Sequence, residues 1–391
     1  MSTLNVNTIN AATSGQAVAV DVQNPKSFRR INPNGAMNVA QRGTSDTSSS
    51  AFLIDRWKHL HGGADEAPTY SQHTLTSSDT GPWEKGFRYS FHIQNGNQTG
   101  GAGASDYIQC EQRIEAQDLA QSGWDYTSTS SYVTLSFWVK SSVAQAFPFT
   151  LQTSDGTAHR YAFTTGSLTA NTWTKVTKTI PGNSNLTINN DNGIGLYIYF
   201  WPYMGTTWTG TVTENAWFGT SGNDYCNDIT STWWTTNDAT FEITGVQLEV
   251  GEVATDFEFR SYGEELARCQ RYFVQYDRGG STSDDGLTSG LCNLVAGSAD
   301  DCFGFLQLPT CMRAAPTIAY SSADHFETTR VFSGTNVVGG TIYIAYNSVQ
   351  PHHSIYLRTA HNPNPSFSGG DTFNLRMKNQ TAAVMSFSAE L

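Results

Sequence analysis

Single apolar and polar residues alternate in short runs along much of this chain. Val133, Leu135, Phe137 and Val139 fall on one side of such a run, within Tyr132–Val139, and Thr134, Ser136 and Trp138 on the other. A period of two marks a strand with one buried face. Further runs of strand-forming residues are Phe87–Ile93, Phe147–Gln152, Tyr161–Thr165, Thr172–Ile180, Gly195–Trp201 and Thr240–Leu248. Turn residues such as Ser154-Asp155-Gly156 and Asn192-Gly193 punctuate them. Only 14% of the residues are charged, with Ser, Thr, Asn and Gly in their place, while aromatics reach 12%. A disordered chain lacks aromatics, and a helical one draws on Ala, Leu, Glu and Lys. The expected class is all-β.

The 391 residues suggest two or three domains. Residues 1–28 read as a separate head, because Asp21 is the one charge before Pro25 and Thr3–Asn10 and Ala17–Val22 both alternate. Two lone strands are not stable by themselves. Other chains or a docking partner would have to satisfy their backbone groups, unless the head is simply a loose terminus. Residues 29–260 read as a β-sandwich, with one helical excursion expected over Glu111–Gln121. Residues 261–273, around Glu264-Glu265-Leu266-Ala267-Arg268, read as a connecting helix. Residues 274–391 read as a smaller C-terminal β-sandwich, with strands at Leu291–Leu294, Phe303–Leu308, Thr317–Tyr320, Thr341–Tyr346, Ser354–Arg358, Thr372–Met377 and Ala383–Phe387.

The charge balance narrows the function. Lys and Arg number 22 against 34 Asp and Glu, a net charge of −12, which argues against a nucleic-acid partner. No apolar stretch reaches the length of a membrane span, so no membrane insertion is expected. Met1–Asn10 lacks the basic and apolar regions of a secretory signal. The six cysteines have no zinc-like spacing and read mainly as free, buried thiols. Nucleophile-elbow, zincin and phosphate-loop signatures are absent, so no catalytic residue is assigned. Glu111 and Glu115 would share a face of the expected helix, but with Arg113 between them they read as structural. His59-x-His61 and His352-His353 lack an acidic or Cys partner nearby, so no metal site and no cofactor is assigned. The amide-rich turns Asn189–Gly193 and Asn223-Asp224 with Asp228 have oxygens that a structural calcium would use; ordinary Asx turns are the favoured explanation.

Residues 179–259 stand apart. They hold ten acids and no Lys or Arg, with five of the ten tryptophans. Aromatic faces stack on the C–H faces of sugars, and Asp or Asn bonds hydroxyls. The candidate glycan-binding residues are Trp201, Tyr203, Trp208, Trp217, Asp224, Asp228, Trp233 and Trp234. The acids favour a neutral or cation-bridged glycan over a polyanion. The same rings would serve equally to fill the sandwich core or a subunit contact.

Several segments share an order with a known family. They are Asn32-Pro33-Asn34-Gly35-Ala36-Met37-Asn38-Val39-Ala40-Gln41-Arg42-Gly43 followed by Asp55-Arg56-Trp57; Gln112-Arg113-Ile114-Glu115 before Thr134-Leu135-Ser136-Phe137-Trp138-Val139-Lys140; and Asn171-Thr172-Trp173 leading to Asp191-Asn192-Gly193-Ile194-Gly195. Ile243-Thr244-Gly245-Val246-Gln247-Leu248-Glu249 then runs on to Gly263–Tyr272, and Met312-Arg313-Ala314-Ala315-Pro316-Thr317 precedes the terminal Ser388-Ala389-Glu390-Leu391. Over residues 30–391 the chain resembles bacteriophage tail-fibre proteins that carry a carbohydrate-binding-module-like jelly roll and a C-terminal β domain. The resemblance implies a non-enzymatic virion protein and a homotrimer. It also implies attachment to phage tail or other virion proteins through residues 1–28, and recognition of host-surface glycan or lipopolysaccharide. A purely structural virion fibre or spike, or a glycan depolymerase, are the alternatives. The host cytoplasm would be the place of assembly.

Overall fold

The computed structural model describes residues 29–220, 222–277, 290–299, 301–322, 325–330, 336–337, 341–349, 352–362, 367–377 and 383–391. The head at 1–28, with its expected strands, lies outside them. The fold is nearly all β. Sheet A runs Ser45–Asp46, Thr69–Thr74, Tyr89–Gln94, Thr240–Val250, Tyr132–Ser141, Thr174–Pro181. Sheet B runs Trp217–Gly219, His159–Thr164, Pro148–Thr153, Ile194–Met204, Tyr107–Glu115, Trp57–Gly62, Ala51–Phe52. Neighbouring strands in both are antiparallel. The inner faces meet on an aromatic core. Phe137 lies 4.6 Å from Phe149, Phe149 lies 5.0 Å from Phe200, and Trp57 lies 5.7 Å from Phe200, centroid to centroid. Val133, Leu135, Phe137 and Val139 are all buried there, as the alternation requires.

The helix expected over Glu111–Gln121 is a strand, Tyr107–Glu115, followed by one helical turn and a half at Ala116–Ala120. Ile108, Cys110 and Ile114 alternate into the core between two partner strands. Pairing on both sides overrides local helix propensity, which is a weak preference.

Two further sheets carry the C-terminal part. Sheet C runs Phe273–Asp277, Val384–Ser388, Thr317–Tyr320. Sheet D runs Asn336–Val337, Phe326–Arg330, Thr372–Met377, Gly290–Ala296, Asp301–Gln307, Ser354–Asn362, Thr341–Val349. Val274 and Phe387 of sheet C share one core with Leu294, Leu306, Leu357 and Phe373 of sheet D. The helix Tyr262–Gln270 leads into this part and opens on a capping box. Glu264 N–H donates to Ser261 Oγ at 3.3 Å, and Ser261 N–H donates to Glu264 Oε2 at 3.0 Å. The six cysteines are free thiols, with Cys110, Cys226, Cys269 and Cys302 buried.

Arg30–Val39 closes one end of the first sandwich. Asn34, with φ at 51°, is fully buried. Its Nδ2 donates to Val39 O at 2.9 Å and Asp55 O at 2.8 Å, and its N–H to Glu265 Oε1 at 2.5 Å. Asn32 bonds Gln112 of sheet B at 2.9 Å and Val246 O and Leu248 N–H of sheet A at 3.0 and 2.8 Å. A Cβ on Gly35 would sit 1.9 Å from Val246 O, so only glycine lets the segment approach. Trp57 is wholly buried and donates its indole N–H to Asn34 O at 3.1 Å.

The two parts meet across charged side chains. Arg56, buried under the Tyr272 ring, pairs with Glu390. Arg271 grips Glu115 through two bonds of 2.8 and 2.9 Å. Arg313 donates to Ala389 O at 2.8 Å and Asn192 O at 2.7 Å.

On the outer face of sheet A, buried Glu242 accepts from Ser90 Oγ at 2.7 Å, Lys140 Nζ at 2.8 Å and His73 Nδ1 at 3.1 Å. Burial alone would raise this carboxyl. The hydrogen bonds from His73, Lys140 and Ser90 and the Lys140 charge outweigh it, holding the group down at about 2.

Two outcomes are expected. Trp57→Ala should lower stability by ~3–5 kcal/mol and Gly35→Ala by ~1–3 kcal/mol, read from denaturant melts. A carboxyl depressed on folding stabilises above its unfolded value, and that contribution is lost as pH falls through its folded value. Stability should therefore drop between about pH 4.5 and 2, and Glu242→Gln should flatten that drop in pH-dependent melts.

Candidate functional site

Strand Ile194–Met204 carries the site. Leu196, Ile198 and Phe200 point into the sandwich, so Tyr197, Tyr199 and Trp201 line up on the outer face of sheet B. Tyr197 and Tyr199 stack at 5.2 Å with 7° between planes, and Tyr199 and Trp201 at 5.4 Å with 29°. Residues 205–220 and 222–230 fold back over part of this face. Tyr225 sets its ring against Trp201 at 5.1 Å and Tyr199 at 5.5 Å. Arg160 holds that loop down: its guanidinium lies 3.6 Å from the Tyr225 centroid and donates to Asp224 O at 2.9 Å. Thr150 Oγ1 donates to Tyr225 O at 3.0 Å.

The loop leaves a shallow cleft of about 130 Å³ lined by Leu60, Tyr107, Gln109, Trp201, Trp208 and Tyr225. Trp208 donates its indole N–H to Ser105 O at 3.0 Å and meets Tyr107 edge-on at 5.7 Å. Trp201 is buried, yet its Nε1–H has no acceptor among the described residues. An unsatisfied buried donor costs roughly 1–3 kcal/mol. Beside the cleft, Glu111 accepts from Gln109 Nε2 and Arg113 Nε, both at 2.7 Å. Burial pushes the Tyr199 hydroxyl well above its ordinary range, with the Glu111 charge adding to it, so that hydroxyl stays protonated.

The sequence candidates divide. Trp201 and Trp208 line the cleft. Tyr203 does not join them: Phe200 opposes Cys110 and Tyr203 opposes Ile108, three residues against two. This bulge turns Tyr203 inward, where it packs on Trp234 at 4.9 Å. Trp233 and Trp234 are fully buried on the short helix Thr232–Thr235 and fill the core. Trp217, on an edge strand, packs against Tyr161 at 5.4 Å and donates to Pro181 O at 2.7 Å. Asp224 lines a separate hollow with Phe218, and Asp228 accepts from Thr209 Oγ1 at 2.5 Å, outside the aromatic cleft. Tyr107, Tyr197 and Tyr199 escaped the sequence reading as site residues, although Tyr197-x-Tyr199-x-Trp201 is itself a period-two signal.

The acids of residues 179–259 are divided between the two sheets, with Glu214, Asp224 and Asp228 in the loop over sheet B. Glu242 belongs to sheet A, while Arg113 and Arg160 come from strands outside that window to flank the tyrosines. Among the described residues no group of three or more His, Cys, Asp or Glu is placed to hold a metal. In the Asn189–Gly193 turn, Asp191 Oδ1 accepts from Gly193 N–H at 2.9 Å, and Asn189 donates to Asp155. No helix among the described residues is long and apolar enough to cross a membrane.

No family profile and no curated protein sequence matches this chain. Similar solved structures are a phage tailspike domain and carbohydrate-binding modules. The enzymatically active domain of tailspike protein 4 from bacteriophage CBA120 aligns at 12% identity and TM-score 0.31, covering 57% of this chain and 22% of that one. A family 4 carbohydrate-binding module aligns at 15% identity and TM-score 0.29, covering 56% and 98%. A xylan-binding domain from Paenibacillus barcinonensis aligns at 12% identity and TM-score 0.25, covering 54% and 94%. Likenesses this distant carry no argument about chemistry, which rests on the cleft.

Burial separates the tryptophans by experiment. Trp234→Ala should lower stability by ~3–5 kcal/mol. Trp208→Ala, at a half-buried position, should cost less than half of that. Thermal melts of the two variants check the contrast.

Proposed function

We propose that this chain is a non-enzymatic fibre protein of a bacteriophage virion that binds host-surface glycan through the outer face of sheet B. The observation that carries the binding reading is the aromatic cleft walled by Tyr107, Trp201, Trp208 and Tyr225. Tyr107, Trp208 and Tyr225 offer ring faces and edges to sugar C–H groups, and Gln109 offers a polar contact to hydroxyls. This is the apolar lining with few placed polar groups expected of a small-ligand site. Both Glu111 oxygens already accept hydrogen bonds, which suits a binding role better than general acid–base work. The fibre reading, with a homotrimer, attachment through residues 1–28 to tail or other virion proteins, and assembly in the host cytoplasm, follows from the resemblance of the ordered segments to tail fibres. The domain limits 29–260, 261–273 and 274–391 accord with the separate cores of the two β parts.

Purified protein should bind host cells or their lipopolysaccharide. Trp208→Ala should weaken that binding about tenfold, the equivalent of ~1.4 kcal/mol, with a smaller drop in melting temperature than Trp234→Ala shows. Unchanged binding by a folded Trp208→Ala variant would place the receptor site elsewhere. Release of reducing ends from host polysaccharide would establish the depolymerase alternative.

A further inference from the structure

A larger cleft, of about 410 Å³, opens on the opposite side of the sandwich, over the outer face of sheet A. Its size falls in the ~300–1,000 Å³ range of small-ligand sites. Phe87, Phe257 and Phe259 form its apolar wall, with centroids 4.8–5.1 Å apart. Phe259 remains 48% exposed. Trp138 stands across from them on the neighbouring strand.

The shape is built in by two glycines. Strand Thr240–Val250 bulges between Thr244 and Gln247, and Gly245 at φ +62° lies in the bulge. A Cβ there would come 2.6 Å from the Phe87 ring. Gly81, at φ +96°, backs Trp138 in the same way, since its Cβ would lie 2.8 Å from that indole. The rim bears Glu84, Lys85, Lys175 and Asp256, all exposed and none in an ion pair among the described residues. Ser136 adds a hydroxyl with no hydrogen bond among the described residues.

We infer that this cleft is a second saccharide-binding site, so that one chain engages glycan on both faces of its sandwich. A sugar is amphipathic: its C–H face needs an aromatic wall and its hydroxyls need both donors and acceptors. The wall of Phe259 and Trp138 supplies the first, and a rim of unpaired cations, carboxylates and a free hydroxyl supplies the second. A purely apolar ligand would leave those charges unused, and a strongly charged one would meet like charge on either side. The inference rests on the glycan-binding reading above, but on different residues.

The test uses full-length protein with 5-fluorotryptophan, each ¹⁹F signal assigned by single Trp→Phe variants, titrated with glucose, galactose, N-acetylglucosamine and rhamnose. At least one sugar should move the Trp138 signal. Phe259→Ala, at an exposed position and so expected to fold, should weaken that response about tenfold and leave the Trp208 response unchanged. Movement at Trp208 without any at Trp138 overturns the second site and leaves the first standing. Movement at Trp138 alone supports the second site and removes the first. No movement at either overturns both.

Discussion

The hydrogen bonds made by Asn34 and its neighbours hold the architecture together. Two sheets of a sandwich offer each other only non-directional apolar contact. Arg30–Val39 adds directional bonds to both. Asn32 reaches Gln112 in sheet B and Val246 and Leu248 in sheet A, Asn34 reaches Glu265 at the head of the connecting helix, and Trp57 anchors its indole on Asn34 O. Buried polar groups are costly unless satisfied, and here the satisfied set links both sheets and the helix. That accounts for the run Asn32-Pro33-Asn34-Gly35: two amides that bond three partners or more, and a glycine where a Cβ would strike Val246 O.

From that plug the second part is positioned by charge. The buried guanidinium of Arg56 lies between Tyr272 and Glu390, and Arg271 holds Glu115 at the end of a sheet B strand. Breaking one partner of a buried ion pair leaves an uncompensated charge, so these contacts favour one arrangement of the two β parts. The outer faces of sheets A and B are left to solvent and loops, and both clefts open there.

Function on this scaffold depends on which face each aromatic ring occupies. The strand Ile194–Met204 presents Tyr197, Tyr199 and Trp201 outward and Leu196, Ile198 and Phe200 inward, with one bulge deciding the fate of Tyr203. Trp233 and Trp234 look as suited to sugar as Trp208 in the sequence, yet they fill the core. A ring is equally at home in either place, and its neighbours in space decide.

The sequence by itself determined the all-β class, the strands around Tyr132–Val139 and Thr240–Leu248, and the connecting helix, because period-two alternation and helix propensity are local properties. It also marked Trp201 and Trp208. Only the tertiary structure decided that Tyr107–Glu115 is a strand, since two partners outweigh weak helix propensity. It alone turned Tyr203 inward, through a bulge that the partner strand defines. It alone set Arg113 and Arg160 beside the acidic window, because residues far apart in the chain share a sheet. The cleft over sheet A, assembled from residues between Glu84 and Phe259, has no contiguous signature, since its wall and rim come from separate strands and loops that meet only when the sandwich closes.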